Sequence, residues 1–138
     1  MSKIILVVEY KKEEQLIAKK AVLDGGNKII IADTLNKAED FIEKFSEKLS
    51  GIITDIHFPI DSAQENFGGA NGISVVITSL KHSIPCAVCT DDIAHGASYI
   101  PLILKRLEML IKREIPISGT KDWSDALQQL TELLEDQS

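Results

Sequence analysis

The sequence predicts a three-layer α/β/α sandwich built on a five-stranded parallel sheet of strand order 2-1-3-4-5. Three observations lead there. Short runs of Ile, Leu and Val alternate with stretches of helical period along the whole chain. The alternation repeats five times, and strands joined by helical crossovers lie parallel, with helices on both faces of the sheet. A length of 138 residues holds one such domain and not two. We place that domain over residues 1–135 and read residues 136–138 as a polar tail.

Residues 3–8 are a short Ile/Leu/Val run, expected as a strand buried on both faces. Residues 11–23 come next as a helix carrying Leu16, Ile17, Ala18, Ala21 and Leu23 among charges, stopped by Gly25-Gly26. Residues 28–32 are a second β-branched run. Asp33 or Thr34 can cap the next helix, 35–49, where Leu35, Ala38, Ile42, Phe45 and Leu49 recur at helical spacing. Residues 51–55 read as the third strand, with a polar stretch from His57 to Asn71 after it.

The segment 72–82 pulls two ways. Ile73, Val75, Val76 and Ile77 favour a strand by propensity, whereas the alternation of the chain demands a helix, and a helix is expected. Residues 84–90 form the fourth strand and 98–113 a helix with Ile100, Ile103, Leu104, Leu107, Leu110 and Ile111. Residues 115–118 make a short fifth strand. The last helix, 124–134, presents Leu127, Leu130, Leu133 and Leu134.

The net charge is −6, and basic residues such as Lys11-Lys12 and Lys19-Lys20 are answered by Glu13-Glu14 and Asp24. Nucleic-acid binding depends on cations that neutralise phosphates, so it is not expected here. The run Ile4–Val8 is far shorter than the about 20 apolar residues of a membrane span, and it lacks the small-residue cleavage site of a signal peptide. A cytoplasmic protein without membrane contact is the expectation, and in that reducing setting no structural disulfide. Cys86 and Cys89 have C-x-x-C spacing but sit in an apolar strand-like run. On a strand, residues i and i+3 face opposite sides, so the two thiols are expected to pack in the core rather than to converge.

In a sheet of this order the working site lies beyond the carboxyl ends of the strands. There the sequence places Glu9 and Tyr10, Asp33, Asp55 with His57, Thr90 with Asp91 and Asp92, and Thr120 with Lys121. Glu9, Asp55, Thr90, Asp91 and Lys121 come after strands that are neighbours in the sheet. Clustered carboxylates favour a divalent cation, oxygen ligands suit Mg²⁺, and a lysine opposite them can hold a phosphoryl group. A polar rim of caps and turns is the plain alternative.

These strand ends, in this order, resemble the receiver domain of two-component response regulators, a flavodoxin-like fold. Ile5–Tyr10 is similar to the first strand and its acidic doublet, and residues 51–59 to the strand that bears the phosphorylated Asp, down to the apolar-Pro pair Phe58-Pro59. Asn71-Gly72 resembles the Asp-Gly that opens the third helix, residues 84–90 the strand ending in the switch hydroxyl, and Thr120-Lys121 the end of strand five. The resemblance implies that Asp55 is the phosphoacceptor, Lys121 its phosphoryl partner and Thr90 the switch residue. It also implies a Mg²⁺ held by Glu9, Asp55 and the backbone carbonyl of His57.

The chain departs from that family at several positions. Tyr10 stands where the second, metal-contacting acid belongs, leaving Asp91 or Asp92 as candidates for the missing carboxylate. Asp122 rather than Pro comes after the Lys; a cis Lys-Asp bond would cost about 3–4 kcal/mol, so a differently built loop is expected. Ser118 replaces the aromatic three residues before the Lys, and residues 60–70 form an insertion containing Phe67-Gly68-Gly69. This loop can serve as a lid or a docking segment, or be a surface excursion. His57 and His95 lack any recognised metal-ligand spacing. Trp123 is expected to pack against the sheet, or to act as a recognition anchor if exposed.

The resemblance supports two functions. One is a stand-alone, non-enzymatic receiver, a monomer or weak homodimer, that takes a phosphoryl group on Asp55 from a histidine kinase or phosphotransfer protein and signals to a downstream protein. The other is a pseudo-receiver, a protein-interaction module independent of phosphorylation. A metal-dependent enzyme on the same sheet lacks a Gly-rich phosphate loop after strand one, where Glu9-Tyr10-Lys11-Lys12 stands.

Overall fold

The computed structural model describes residues 3–63, 69–91 and 99–136. Its elements run β1 (Ile4–Val8), α1 (Lys12–Asp24), β2 (Lys28–Ala32), α2 (Leu35–Phe45), β3 (Gly51–Thr54), α3 (Asn71–Lys81), β4 (Cys86–Cys89), α4 (Tyr99–Ile111), β5 (Ile117–Ser118) and α5 (Trp123–Asp136). The strands form one parallel sheet in the order β2-β1-β3-β4-β5, the order expected from the sequence.

Side chains alternate across this sheet with period two, so each apolar strand feeds two cores. Leu6, Val8, Ile52, Cys86 and Val88 face a core completed by α2, α3 and α4. Ile5, Val7, Ile53, Ala87 and Cys89 face a second one closed by α1 and α5. Cys86 and Cys89 therefore lie on opposite faces, buried and unpaired, as strand geometry requires. Burial pushes the Cys86 thiol up to about 12. Burial and the negative charge of Asp55 likewise raise that of Cys89.

The register levels the strands at one edge. Val8 pairs with both Ala32 and Thr54, Thr54 with Val88, and Cys89 with Ser118. The segments leaving the carboxyl ends of β1, β3, β4 and β5 thus emerge side by side.

The helices correct several details. The face that α1 buries is Gln15, Ala18 and Val22, whereas Leu16, Ile17 and Leu23 are exposed. Thr34, not Asp33, caps α2, its hydroxyl oxygen accepting from Lys37 N at 3.2 Å; Asp33 pairs with the Lys37 ammonium instead. Residues 71–81 are helical despite their β-branched content, because tertiary contacts at the first turn override propensity. In α4 only Ile100 and Leu104 are fully buried, and Leu110, expected in the core, is exposed.

The last helix begins at Trp123 and continues through Asp136, so that residue, read as tail, is helical. Phe67, Gly68, Asp92 and His95 lie outside the described residues. Among the described residues no helix is long and apolar enough to cross a membrane.

Candidate functional site

Three of the residues singled out at the strand ends meet in one buried cluster. Glu9 and Asp55 are 1% and 4% exposed, and Lys121 reaches both. Its Nζ donates to Asp55 Oδ2 at 2.8 Å and lies 2.5 Å from Glu9 Oε1, the latter an ion pair held by charge rather than by an aligned hydrogen bond. The second oxygen of each acid is occupied by backbone just downstream of it. Ile56 N donates to Asp55 Oδ1 at 2.7 Å, and Lys11 N to Glu9 Oε2 at 3.0 Å.

The electrostatics stem from burial. Desolvation, then repulsion from Asp55, raise the Glu9 pKa above the usual Glu value, against the pull of Lys121 and Lys11 N. For Lys121 burial alone would lower the pKa. Attraction to Asp55, with the hydrogen bond to Asp55 and the ion pair with Glu9, outweighs it and holds the ammonium charged above its ordinary value.

Local structure fixes each member. Asp55 N donates to Val8 O at 2.9 Å, which ties the end of β3 to that of β1. Gln15, absent from the sequence-based site, donates from Nε2 to Glu9 O at 2.8 Å and sets the exit of β1. Its only signal in the sequence was a polar residue at i, i+3, i+7 spacing with Ala18 and Val22.

Lys121 adopts a left-handed backbone (φ 55°), and the described residues contain no cis peptide bond. Its N–H donates to Thr90 O at 3.2 Å. Asp122, in place of the family's Pro, caps α5: its Oδ1 accepts from Asp125 N at 3.0 Å, while its own N–H donates to Ser118 Oγ at 3.2 Å. The loop is thus built by an Asp cap and a buried Ser, the two departures noted in the sequence.

On the other side of Asp55, Gly72 N donates to Ile56 O at 2.8 Å and Asn71 Nδ2 to Phe58 O at 2.6 Å. A Cβ on Gly72 would stand 2.1 Å from Asp55 O, so only glycine lets α3 approach this closely. Leu35 N and Asn36 N at the start of α2 donate to Pro59 O and Ile60 O, anchoring the first residues of the insertion.

Other expected members stand apart from the triad. Thr90 is fully buried at the end of β4, joined to Lys121 through its carbonyl. His57 is half-buried two residues beyond Asp55, and Asp91 is exposed. Tyr10 is 42% exposed and brings no carboxylate. Trp123, at the start of α5, is buried in the core shared with the sheet and α1, its Nε1 donating to Glu14 Oε1 at 2.9 Å.

The donor set does not fit the Mg²⁺ that the family resemblance implies. Among the described residues no three His, Cys, Asp or Glu side chains come together to hold a metal. The two carboxylates that do meet have all four oxygens engaged by Lys121 and by backbone N–H groups.

No protein-family model matches the chain, and no curated relative does. Solved structures do. A CheY-like response regulator receiver domain from Methanospirillum hungatei JF-1 is 18% identical with a TM-score of 0.71, over 99% of this chain and 97% of that one. A response regulator receiver protein from Sinorhizobium medicae WSM419 is 16% identical with a TM-score of 0.70, over 99% and 98%. The anti-anti-sigma factor PhyR from Bartonella quintana is 16% identical with a TM-score of 0.64, over 99% of this chain and 48% of its own length. With five strands in the order 2-1-3-4-5, and neighbours of this kind over nearly its whole length, the chain has the flavodoxin-like fold of response-regulator receiver domains.

Proposed function

We propose that the chain is a receiver-like signalling module in which Asp55 accepts a phosphoryl group from a histidine kinase or phosphotransfer protein, the change being read by a downstream protein. The observation that carries this reading is the 2.8 Å contact between Asp55 Oδ2 and the Lys121 ammonium at the carboxyl edge of the sheet. In the transfer, Asp55 Oδ2 attacks phosphorus and the phosphorus–nitrogen bond of the donor phosphohistidine breaks. The bonding pair goes to the imidazole nitrogen, which takes up a proton. Lys121 offsets charge on the transferred oxygens, and Thr90, at the end of the adjacent strand, is the candidate switch hydroxyl. A neighbour named as an anti-anti-sigma factor is consistent with output through protein contact.

A second reading, a phosphorylation-independent interaction module, is favoured by two observations: Tyr10 stands in place of an acid, and Ser118 is committed to the Asp122 cap. Intact mass after incubation with acetyl phosphate, with and without Mg²⁺, separates the two. One added phosphoryl group on the wild-type chain, absent in Asp55→Asn, supports the acceptor. No uptake by a folded protein supports the interaction module.

A further inference from the structure

We infer that the Lys121 ammonium is the resident cation of this pocket, and that the pocket takes a divalent cation only once Tyr10 is replaced by an acid or the ammonium is removed. The inference stands on the geometry of Glu9, Asp55 and Lys121, whether or not Asp55 is a phosphoryl acceptor.

Two buried carboxylates next to each other need a compensating positive charge, since unpaired buried charge is costly. Here that charge is covalently part of the protein. It touches one oxygen of each acid, at 2.5 Å on Glu9 Oε1 and 2.8 Å on Asp55 Oδ2. The remaining oxygens accept from Lys11 N and Ile56 N, so every carboxylate oxygen already has a partner with which a metal would compete.

Lys121 is also held from behind, with its N–H on Thr90 O, and the next residue starts α5 as its cap. The position that would add a third carboxylate holds Tyr10, a phenol that is 42% exposed. The backbone that carries it is held by Gln15 Nε2, which donates to the carbonyl of Glu9 at 2.8 Å and reaches that of Tyr10 at 3.5 Å.

Mg²⁺ demands near-octahedral oxygen ligation and dehydrates reluctantly. To enter, it would have to strip both acids of an ammonium that is tethered to the same chain. It would then sit beside that same positive charge. An added carboxylate at position 10 changes the balance by giving the cation a ligand that Lys121 does not touch.

The test is a titration of the full chain with Mn²⁺, free ion being read by electron paramagnetic resonance, for wild type, Tyr10→Asp and Lys121→Gln. Tyr10 is exposed, so Tyr10→Asp preserves the fold and keeps the test decisive even where Lys121→Gln, which strands two acids, fails to fold. Wild type is expected to show no saturable site. Tyr10→Asp is expected to bind one Mn²⁺, half-saturating at least about tenfold below the highest concentration at which wild type shows no saturation, as added ligand charge tunes such sites, and to lose it with Asp55→Asn. A saturable, Asp55-dependent site in wild type with the affinity of Tyr10→Asp would overturn the inference, as would a Tyr10→Asp chain that binds no better than wild type. The readout is cation binding, so it is separate from any outcome with acetyl phosphate.

Discussion

Gly72 is the position where a single added methyl group should do most damage to the site. In Gly72→Ala the new Cβ would stand 2.1 Å from Asp55 O and 2.6 Å from Ile56 Cα, both backbone atoms that no rotamer change can clear. Reaching an ordinary contact of 3.4 Å requires α3 to retreat by about 1.3 Å from the end of β3. That movement breaks the bond from Gly72 N to Ile56 O and loosens the one from Asn71 Nδ2 to Phe58 O, now 2.8 and 2.6 Å.

Two hydrogen bonds at about 1 kcal/mol each, with overpacking of about 1–3 kcal/mol, outweigh the gain of about 1 kcal/mol from alanine's helix propensity. The net loss is about 2–4 kcal/mol, or about 8–15 °C in Tm for a chain of this length. Urea unfolding monitored by circular dichroism measures it. A Gly72→Ala midpoint within about 0.5 kcal/mol of wild type, the spread of neutral surface changes, would show that the approach of α3 to Asp55 does not constrain the fold.

Three further outcomes are expected. Glu9 has a pKa raised above its unfolded value, so its contribution to stability is full below the ordinary Glu pKa of 4.5 and is lost as pH rises through the folded-state value. Glu9→Gln, which still accepts from Lys11 N, should therefore gain in Tm relative to wild type as pH goes from about 4 to about 7; a constant or shrinking difference in thermal melts would contradict the sign. Cys86 and Cys89, buried and with raised thiol pKa values, should not react with Ellman's reagent at about pH 8 until urea unfolds the chain. Trp123→Phe removes the bond to Glu14 Oε1 and should cost about 1–2 kcal/mol in urea unfolding, read by circular dichroism; an unchanged midpoint would make that contact decorative.

Sheet order and most elements were legible because each rests on a local pattern. The apolar runs at β1, β3 and β4 are buried on both faces, and that shows directly in composition. The helix α3 was legible only through the alternation of the whole chain. Its β-branched residues say strand, and what decides for helix is the non-local grip of Ile56 O and Phe58 O on its first turn. In α1 the apolar residues misled. Leu16 and Ile17 point outward, and the side chains that pack are the small Ala18, Val22 and the polar Gln15, which has backbone carbonyls to satisfy.

Glu9, Asp55 and Lys121 were readable as a set from their places after β1, β3 and β5. Three features of the site were not. The left-handed backbone at Lys121 goes with long-range contacts to Thr90, Glu9 and Asp55. The Asp122 cap and the backbone bonds that complete the engagement of the four carboxylate oxygens are local loop geometry that no periodicity signals.

The burial of Trp123 has a practical consequence. It is the chain's sole tryptophan, it lies two residues from Lys121, and its indole N–H is bound to a carboxylate on α1. Indole emission responds to nearby charge and to loss of such a bond, so the protein carries its own optical reporter at the root of the Lys121 loop. Phosphoryl uptake or partner docking that shifts that lysine can be tracked in real time on the unlabelled wild-type chain, and cation entry on Tyr10→Asp.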